Sequence, residues 1–513
     1  MDKPLKVLFI APECAPFAKV GGLADVVGAL PKALARRGHA VRVVIPLYRE
    51  TAAHLPQDAG RRPLRVPLGP RAGGDADVGL AQARLAPDVP VCFVDHPVYG
   101  DRPFIYGPPG ADYGDNVYRF SLLCRAALQL CAEDGNRPDI VHCHDWTTAM
   151  IPAVLKLRNG NGAALAGAAT VLTIHNIGYQ GVYPAADLPQ TGLGYEHLTP
   201  WEFEYYGKLN LLKGGIRYAD RINTVSPTHL REILEHPDGM GLAADLAARR
   251  YALRGILNGI DDETWNPAAD PLLPAVYTAD EPAGKTVCKA ALQEQSGLAV
   301  DSRVPLFGIV SRLVRPKGVE LLRDALPGVL RDMDVQLAVL GSGDADIESF
   351  FRDLETAWPG RVSAHIGFSN PLSHRIEAGS DFFLMPSLYE PCGLNQMYSL
   401  RYGALPVVRA VGGLADAVEN YDERRGTGTG FMFHDATPEA LYNTIGWAVS
   451  TWHDRPAHIR ALRRAGMGKD FSWRHAAGDY ERLYRDALSS SALKRCGRRW
   501  TRAGRRRNGG CRY

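Results

Sequence analysis

The chain predicts an α/β fold made of two doubly wound, mostly parallel sheets, and three observations carry that expectation. Apolar runs of strand length alternate with Ala-rich helical stretches over most of the sequence, the pattern of strands covered on both faces by crossover helices. A chain of 513 residues exceeds what a single hydrophobic core organises. Finally, Gly21 to Val27 reads GGLADVV and Gly412 to Val418 reads GGLADAV. The two copies stand too far apart for a solenoid repeat and suit two similar domains, each presenting a glycine-rich loop to one cleft.

Taken in order, strands are expected at 7–10, 41–46, 91–94, 140–142, 170–174 and 221–225, with helices over 28–37, 118–131 and 227–235. The Gly/Pro/Arg-rich stretch 61–88 reads as hairpin or loop. A boundary falls near 253–258, followed by a Pro- and Asp-rich connection over 267–281. A second series then opens with a helix at 285–294 and strands at 305–310, 336–340, 362–366, 382–385 and 405–408. The division expected is therefore 1–253, 254–475, a C-terminal helix at 476–493, and a basic tail at 494–513 that lacks apolar periodicity and is expected to be disordered.

Composition narrows the function classes. The net charge is +3, yet nine basic residues and no acid lie between Lys494 and Arg512, so the remainder is mildly acidic and offers no general nucleic-acid footprint. Nine cysteines are scattered without a CxxC pair, which suits buried thiols in a reducing compartment rather than a disulfide framework. Lys3 to Lys6 leads straight into a short strand with no signal-like apolar core, and no run reaches about 18 apolar residues. A cytoplasmic, soluble protein without a membrane partner is expected.

The densest chemistry lies in 382–418. An apolar strand breaks at Pro386-Ser387 into a loop carrying Glu390 and Cys392, a helix follows over 394–402, and a second buried strand runs into Gly412-Gly413. Paired glycines at a helix start suggest exposed backbone N–H groups and an anion site. Lys19 with Gly21 and Gly22 repeats the device after the first strand. Arg312 and Lys317 follow the strand at 305–310, a fork and a point charge where a cleft would lie. The run His142-Cys143-His144-Asp145 looks like a metal cluster, but strand alternation sends both histidines to one face and the cysteine to the other, so no metal is expected. Nothing near Cys392 lowers its pKa, which argues against a nucleophile. Asn258-Gly259-Ile260-Asp261 is a turn signature at the domain junction.

Together Lys19-Val20-Gly21-Gly22-Leu23, His144-Asp145-Trp146, His175 to Gly181 (HNIGYQG), Asn258 to Asp261, Ser311-Arg312-Leu313 with Lys317-Gly318, and Glu390-Pro391-Cys392-Gly393-Leu394 resemble bacterial glycogen synthase and plastid starch synthase, in that family's order. The resemblance implies two Rossmann-like domains facing across a cleft, the GT-B architecture, with the last helix packing back on the first domain. It implies transfer of glucose from ADP-glucose to the non-reducing end of an α-1,4-glucan such as glycogen, with retention and without cofactor. By the same resemblance Arg312 and Lys317 bind the distal diphosphate, and Glu390 bonds the transferred glucose and stabilises positive charge at its anomeric carbon. Lys19, Gly21 and Gly22 contact the donor, while Asp145 and His175 lie near the bond being made. Asn258, Cys392, Gly393, Leu394, Gly412 and Gly413 are site segments, and Phe368 sits where a ring would stack on adenine. Many retaining relatives carry a second acid at the place of Tyr398, a departure shared by glycogen synthases. Trp146, Tyr179 and Trp201 are candidates for lining a glucan groove. Two carboxylates or a front-side path would serve retention, and the absence of a nucleophile beside Glu390 favours the second. No residue selects adenine over uracil, so UDP-glucose stays open as donor. A silent glucan-binding protein would be expected to lose Glu390, Arg312 or Lys317, and all three are present.

Overall fold

The strongly apolar strands read from the sequence assemble into two large sheets, in the computed structural model of the protein, which describes residues 3–55, 61–165 and 167–507. The chain divides into unit 1, Met1–Val225 with Leu230–Ile256 and Trp473–Tyr513, and unit 2, Ser226–His229 with Leu257–Ser472.

Unit 1 carries β1 (Lys6–Ile10), β2 (Ala40–Pro46), β3 (Arg62–Pro67), β4 (Asp75–Ala86), β5 (Val89–Asp95), β6 (Ile140–His144) and β7 (Ala169–Ile174). A small three-stranded sheet of β8 (Val182–Pro184), β9 (Glu204–Tyr205) and β10 (Lys208–Asn210) intervenes before β11 (Arg221–Thr224) and β12 (Leu253–Gly255). The main sheet has the order β12-β11-β7-β6-β1-β2-β5-β4-β3. Its β5 to β12 side is parallel, and β3 and β4 add an antiparallel edge. That hairpin occupies the stretch 61–88. Leu64 and Val66 of β3 point inward while Arg65 and Pro63 stay exposed, the alternation of a sheet wet on one side.

Unit 2 carries β13 (Leu306–Val310), β14 (Gln336–Gly341), β15 (Val362–Ile366), β16 (Phe382–Met385), β17 (Leu405–Arg409) and β18 (Phe431–Phe433). The order is β15-β14-β13-β16-β17-β18, wholly parallel. Both sheets therefore reverse strand order at one place, between β1 and β6 in unit 1 and between β13 and β16 in unit 2. The carboxyl ends flanking such a switch point are where open α/β sheets bind ligands.

Three sequence expectations need correction here. The GGLAD copies do not mark equivalent places: the first opens the helix Gly22–Arg36 after the central β1, whereas the second opens Gly412–Ala417 after β17, one strand from the edge. The tail is the second. The last helix runs Trp473–Arg507, so the backbone of 494–507 is helical rather than disordered, while 508–513 lie outside the described residues. Unit 1 reaches Ile256 rather than 253, since β12 extends the sheet edge.

The last helix belongs to unit 1, where Trp473, Ala476, Ala477, Tyr480, Leu483, Tyr484 and Ala487 complete the core beneath β1, β2 and the helix Gly22–Arg36. Its two tyrosines also close a buried polar network. Tyr484 meets His142 Nδ1 at 2.8 Å, His142 Nε2 meets Thr173 Oγ1 at 2.6 Å, Thr173 donates to Asn223 Oδ1 at 2.7 Å, and Asn223 Nδ2 donates to Tyr480 at 3.2 Å. Truncating Tyr484 to Ala removes a fully buried ring and leaves His142 Nδ1 without its partner. We expect this to lower the stability of unit 1 by about 3 kcal/mol or more, read as an earlier denaturant transition of unit 1 with that of unit 2 unmoved.

Candidate active site

In unit 2 the loops after β13 and β16 lie side by side because those strands pair, Phe307 with Phe382 and Gly308 with Phe383. Leu388 and Tyr389 both donate their backbone N–H to the Pro316 carbonyl, at 2.9 and 3.2 Å. Gly318 makes this approach possible: its φ is +71°, and a Cβ there would lie 2.0 Å from the Pro386 carbonyl oxygen. The result brings Lys317 to Glu390, Nζ to Oε2 at 2.5 Å, with the Ser387 hydroxyl donating to the same oxygen at 3.2 Å. Glu390 is only 6% exposed, and a buried carboxylate is tolerated when a cation and a hydroxyl replace its water. Arg312 stands exposed at the end of the same strand.

The remaining residues picked out in unit 2 fall into two groups. Asn258 reaches Cys392, and burial pushes that thiol up to about 12 against the Asn258 hydrogen bonds, so it is protonated at neutral pH and has no nucleophilic character. Gly393, with φ +69°, and Leu394 lead into the helix Asn395–Arg401. Gln396 donates to the carbonyls of Cys392 and Gly393 at 2.9 and 3.0 Å and fixes that turn. Phe368 is 89% exposed, free of the core and open to a planar partner. Tyr398 lies in a stack with Trp265, ring centroids 3.9 Å apart.

Gly412 and Gly413 do not expose their backbone as the sequence suggested. Both are buried, the Gly413 N–H donates to the Glu390 carbonyl at 3.2 Å, and Leu414 and Ala415 donate back to Val411. A Cβ at Gly412 would lie 1.9 Å from the Glu390 carbonyl oxygen, and one at Gly413 1.9 Å from that of Cys392. These glycines admit the Glu390 loop against the short helix; they do not present an anion site.

In unit 1 the switch point gathers Asp145 and His175 at the ends of β6 and β7. Asp145 takes the left-handed region at φ +51°, a costly conformation for a non-glycine residue, and its Oδ1 accepts the His175 N–H at 2.7 Å. Burial raises its pKa to about 7 against bonds from the His175 and Asn176 amides, with Glu13 adding a like charge. His175 Nε2 meets His144 Nδ1 at 3.0 Å, and burial lowers the His175 pKa to about 3, so the imidazole is a neutral hydrogen-bonding group at neutral pH. His142 and His144 do share one face, their ring centroids 4.3 Å apart.

Lys19 is exposed and paired with Asp25, Nζ to Oδ1 at 2.6 Å. Nothing lies within 4 Å of a Cβ built on Gly21 or Gly22, so the backbone there is open to approach. The Val20 and Gly21 N–H groups, however, both donate to Glu13 Oε2, at 2.5 and 3.0 Å, and the Tyr106 hydroxyl donates to Oε1. No local sequence pattern points to this pair, since Glu13 and Tyr106 stand 93 positions apart. Trp146 is another correction. It is buried at 6% exposure against Phe120, Tyr183 and Tyr106, which keeps its face from a glucan, whereas Tyr179 and Trp201 are 60% and 78% exposed.

The Asp145 shift sets a sign for stability. Its folded pKa of about 7 lies above the ordinary 3.8, so the native state holds the extra proton between those values. That contribution is complete below 3.8 and lost as pH rises through about 7. Asp145→Asn should therefore gain stability relative to the unsubstituted protein as pH is raised from about 4 to about 8, measured by denaturant midpoints across pH; a constant difference would contradict the assignment.

Residues 6–248 match the family described as starch synthase catalytic domain, and residues 293–464 match glycosyl transferases group 1. Glycogen synthase 1 of Geobacter metallireducens is 47% identical over 95% of this chain and 97% of its own length. The glycogen synthase of Anaeromyxobacter dehalogenans is 49% identical over 94% and 99%. Among solved structures, the catalytic domain of starch synthase IV from Arabidopsis thaliana, bound to ADP and acarbose, has a TM-score of 0.84 at 35% identity and covers 95% of this chain and 100% of that one. Sucrose-phosphate synthase from Thermosynechococcus elongatus shares the fold alone, at a TM-score of 0.58 and 18% identity over 95% and 100%. The chain belongs to the glycogen synthase and starch synthase family, and it is a glycosyltransferase of the two-domain GT-B fold.

Proposed function

We propose that this glycosyltransferase moves glucose from ADP-glucose to the non-reducing end of an α-1,4-glucan such as glycogen, with retention of configuration. The observation that carries the reading is the cationic end of β13: exposed Arg312, and Lys317 held against the buried Glu390. The starch synthase relative with ADP and acarbose bound supports an adenine nucleotide and an α-glucan as ligands.

In this reading Arg312 and Lys317 take the charge of the departing diphosphate, fixed cations in place before the bond breaks. Lys317 is compensated by Glu390 until the diphosphate arrives. Glu390, relieved of that partner, faces the glucose hydroxyls and the positive charge developing at the anomeric carbon. Phe368 offers its exposed ring to adenine, while Asn258, Cys392, Gly393 and Leu394 shape the sugar's surroundings, the thiol as a neutral contact. Gly412 and Gly413 act by admitting the Glu390 loop. From unit 1, Lys19 meets donor charge along the open backbone of Gly21 and Gly22, the Asp145 carboxyl lies near the bond being made, and His175 serves as a neutral hydrogen-bonding group. Cys392 is protonated, which favours a front-side path in which the leaving phosphate accepts the acceptor's proton over a cysteine-linked intermediate. Among the described residues seven cysteines, Cys14, Cys92, Cys124, Cys131, Cys143, Cys288 and Cys392, are free and buried, which suits the reducing cytoplasm, and no described helix is long and apolar enough to cross a membrane.

Incorporation of radiolabelled glucose into glycogen, from ADP-glucose and separately from UDP-glucose, tests the proposal. We expect incorporation from ADP-glucose and a fall of about a hundredfold or more in Glu390→Gln. Incorporation from UDP-glucose alone would reassign the donor. None from either, by protein shown to be folded, would point to a silent glucan-binding protein.

A further inference from the structure

Glu13 stands three residues past the end of β1, and Asp145 follows the neighbouring β6, yet nothing in the reaction described above uses Glu13. It is 3% exposed and ties two segments of unit 1 together. Oε2 accepts the N–H groups of Val20 and Gly21, and Oε1 accepts the Tyr106 hydroxyl. The Lys19–Gly22 segment has little else to hold it. Val20 is 65% exposed, Lys19 reaches out to Asp25, and neither Gly21 nor Gly22 has a neighbour within 4 Å of a built Cβ. The N-terminal cap residue Gly21 brings no side chain to close the helix start, so the first amides of that turn would otherwise be unsatisfied. Glu13 takes up the Gly21 amide from outside the helix, as the glutamate of a capping box reaches back to the N-cap amide, and the Val20 amide before it.

We infer that Glu13 is a positioning residue, which clamps the Val20 and Gly21 amides and so fixes the place of Lys19. The inference rests on the reading that Lys19 meets the donor. Tyr106 seats the clamp. Its ring is held among Phe120 and Trp146, at centroid distances of 6.1 and 6.4 Å, and Asn116 Nδ2 donates to its carbonyl at 2.8 Å. A rigid aromatic wall thus fixes one carboxylate oxygen while the other reads the loop backbone. A carboxylate is required because three donors converge on it; an amide of the same shape offers one acceptor oxygen and turns an N–H towards a donor.

Hydrogen–deuterium exchange resolved at residues 17–24 tests the clamp without reference to activity. In the unsubstituted protein the Val20 and Gly21 amides should be protected. In Glu13→Gln their exchange should rise about tenfold or more, with β2 unchanged, and Tyr106→Phe, which removes only the hydroxyl, should give a smaller rise in the same peptide. The kinetic arm reads the consequence: the KM for ADP-glucose should rise about fivefold or more in Glu13→Gln, with kcat and the KM for glycogen altered far less. Unchanged exchange in both variants overturns the inference, and so does loosened exchange in a folded, active Glu13→Gln enzyme whose donor KM is unmoved. If the unsubstituted enzyme fails to use ADP-glucose, the donor reading fails, while the exchange result still decides whether Glu13 holds the loop.

Discussion

The contact between Lys317 and Glu390 is the constraint around which unit 2 is arranged. A carboxylate buried to 6% exposure without a partner would cost several kcal/mol, and breaking such a pair from one side typically costs about 3–5 kcal/mol. Each surrounding feature follows from keeping the two charges together. The pairing of β13 with β16 brings their loops alongside each other, Gly318 lets one backbone pass against Pro386, and Gly412 and Gly413 let the Glu390 loop settle on the next helix. What looks like a motif for ligands is in large part a motif for packing a charged loop closely. Such a pair is weak as a source of stability; in the proposed function its use is to hold a cation where a diphosphate can take it over.

Unit 1 solves a different electrostatic problem at its own switch point. Asp145 and neutral imidazoles gather after β6 and β7, while the cation after β1, Lys19, is exposed and paired with Asp25. Asp145 is fixed by backbone amides in a strained conformation, and burial keeps His142, His144 and His175 from protonating. Beneath them the tyrosines of the last helix complete the hydrogen bonding of His142 and Asn223. A helix more than 300 positions away in sequence is thus part of the floor under the site.

Much of this was legible before any coordinates. Continuous apolar runs such as Ile140 to Cys143 and Phe382 to Met385 can be little else than strands buried on both faces, and a charged residue directly after such a run stands at a carboxyl end. The strand pattern and the family resemblance together singled out Glu390, Arg312, Lys317, Asp145 and His175, and each stands on a segment that follows β16, β13, β6 or β7. Local pattern failed where the reason for a residue lies across the fold. Gly412 is required by the carbonyl of Glu390, Trp146 by a wall of aromatics, and Glu13 by the amides and hydroxyl that converge on it. None of these partners is adjacent in sequence. The GGLAD copies misled for a related reason: identical strings follow strands of different rank, so local likeness carried no topological likeness.

The central claim is that the cations ending β13 hold the donor's diphosphate. Titration calorimetry with ADP tests it most directly, on the unsubstituted protein and on Arg312→Ala, an exposed position whose loss leaves packing intact. Binding that weakens by about tenfold or more in Arg312→Ala, the cost of one charge-assisted contact, is the predicted result. ADP bound equally tightly by both proteins would contradict it.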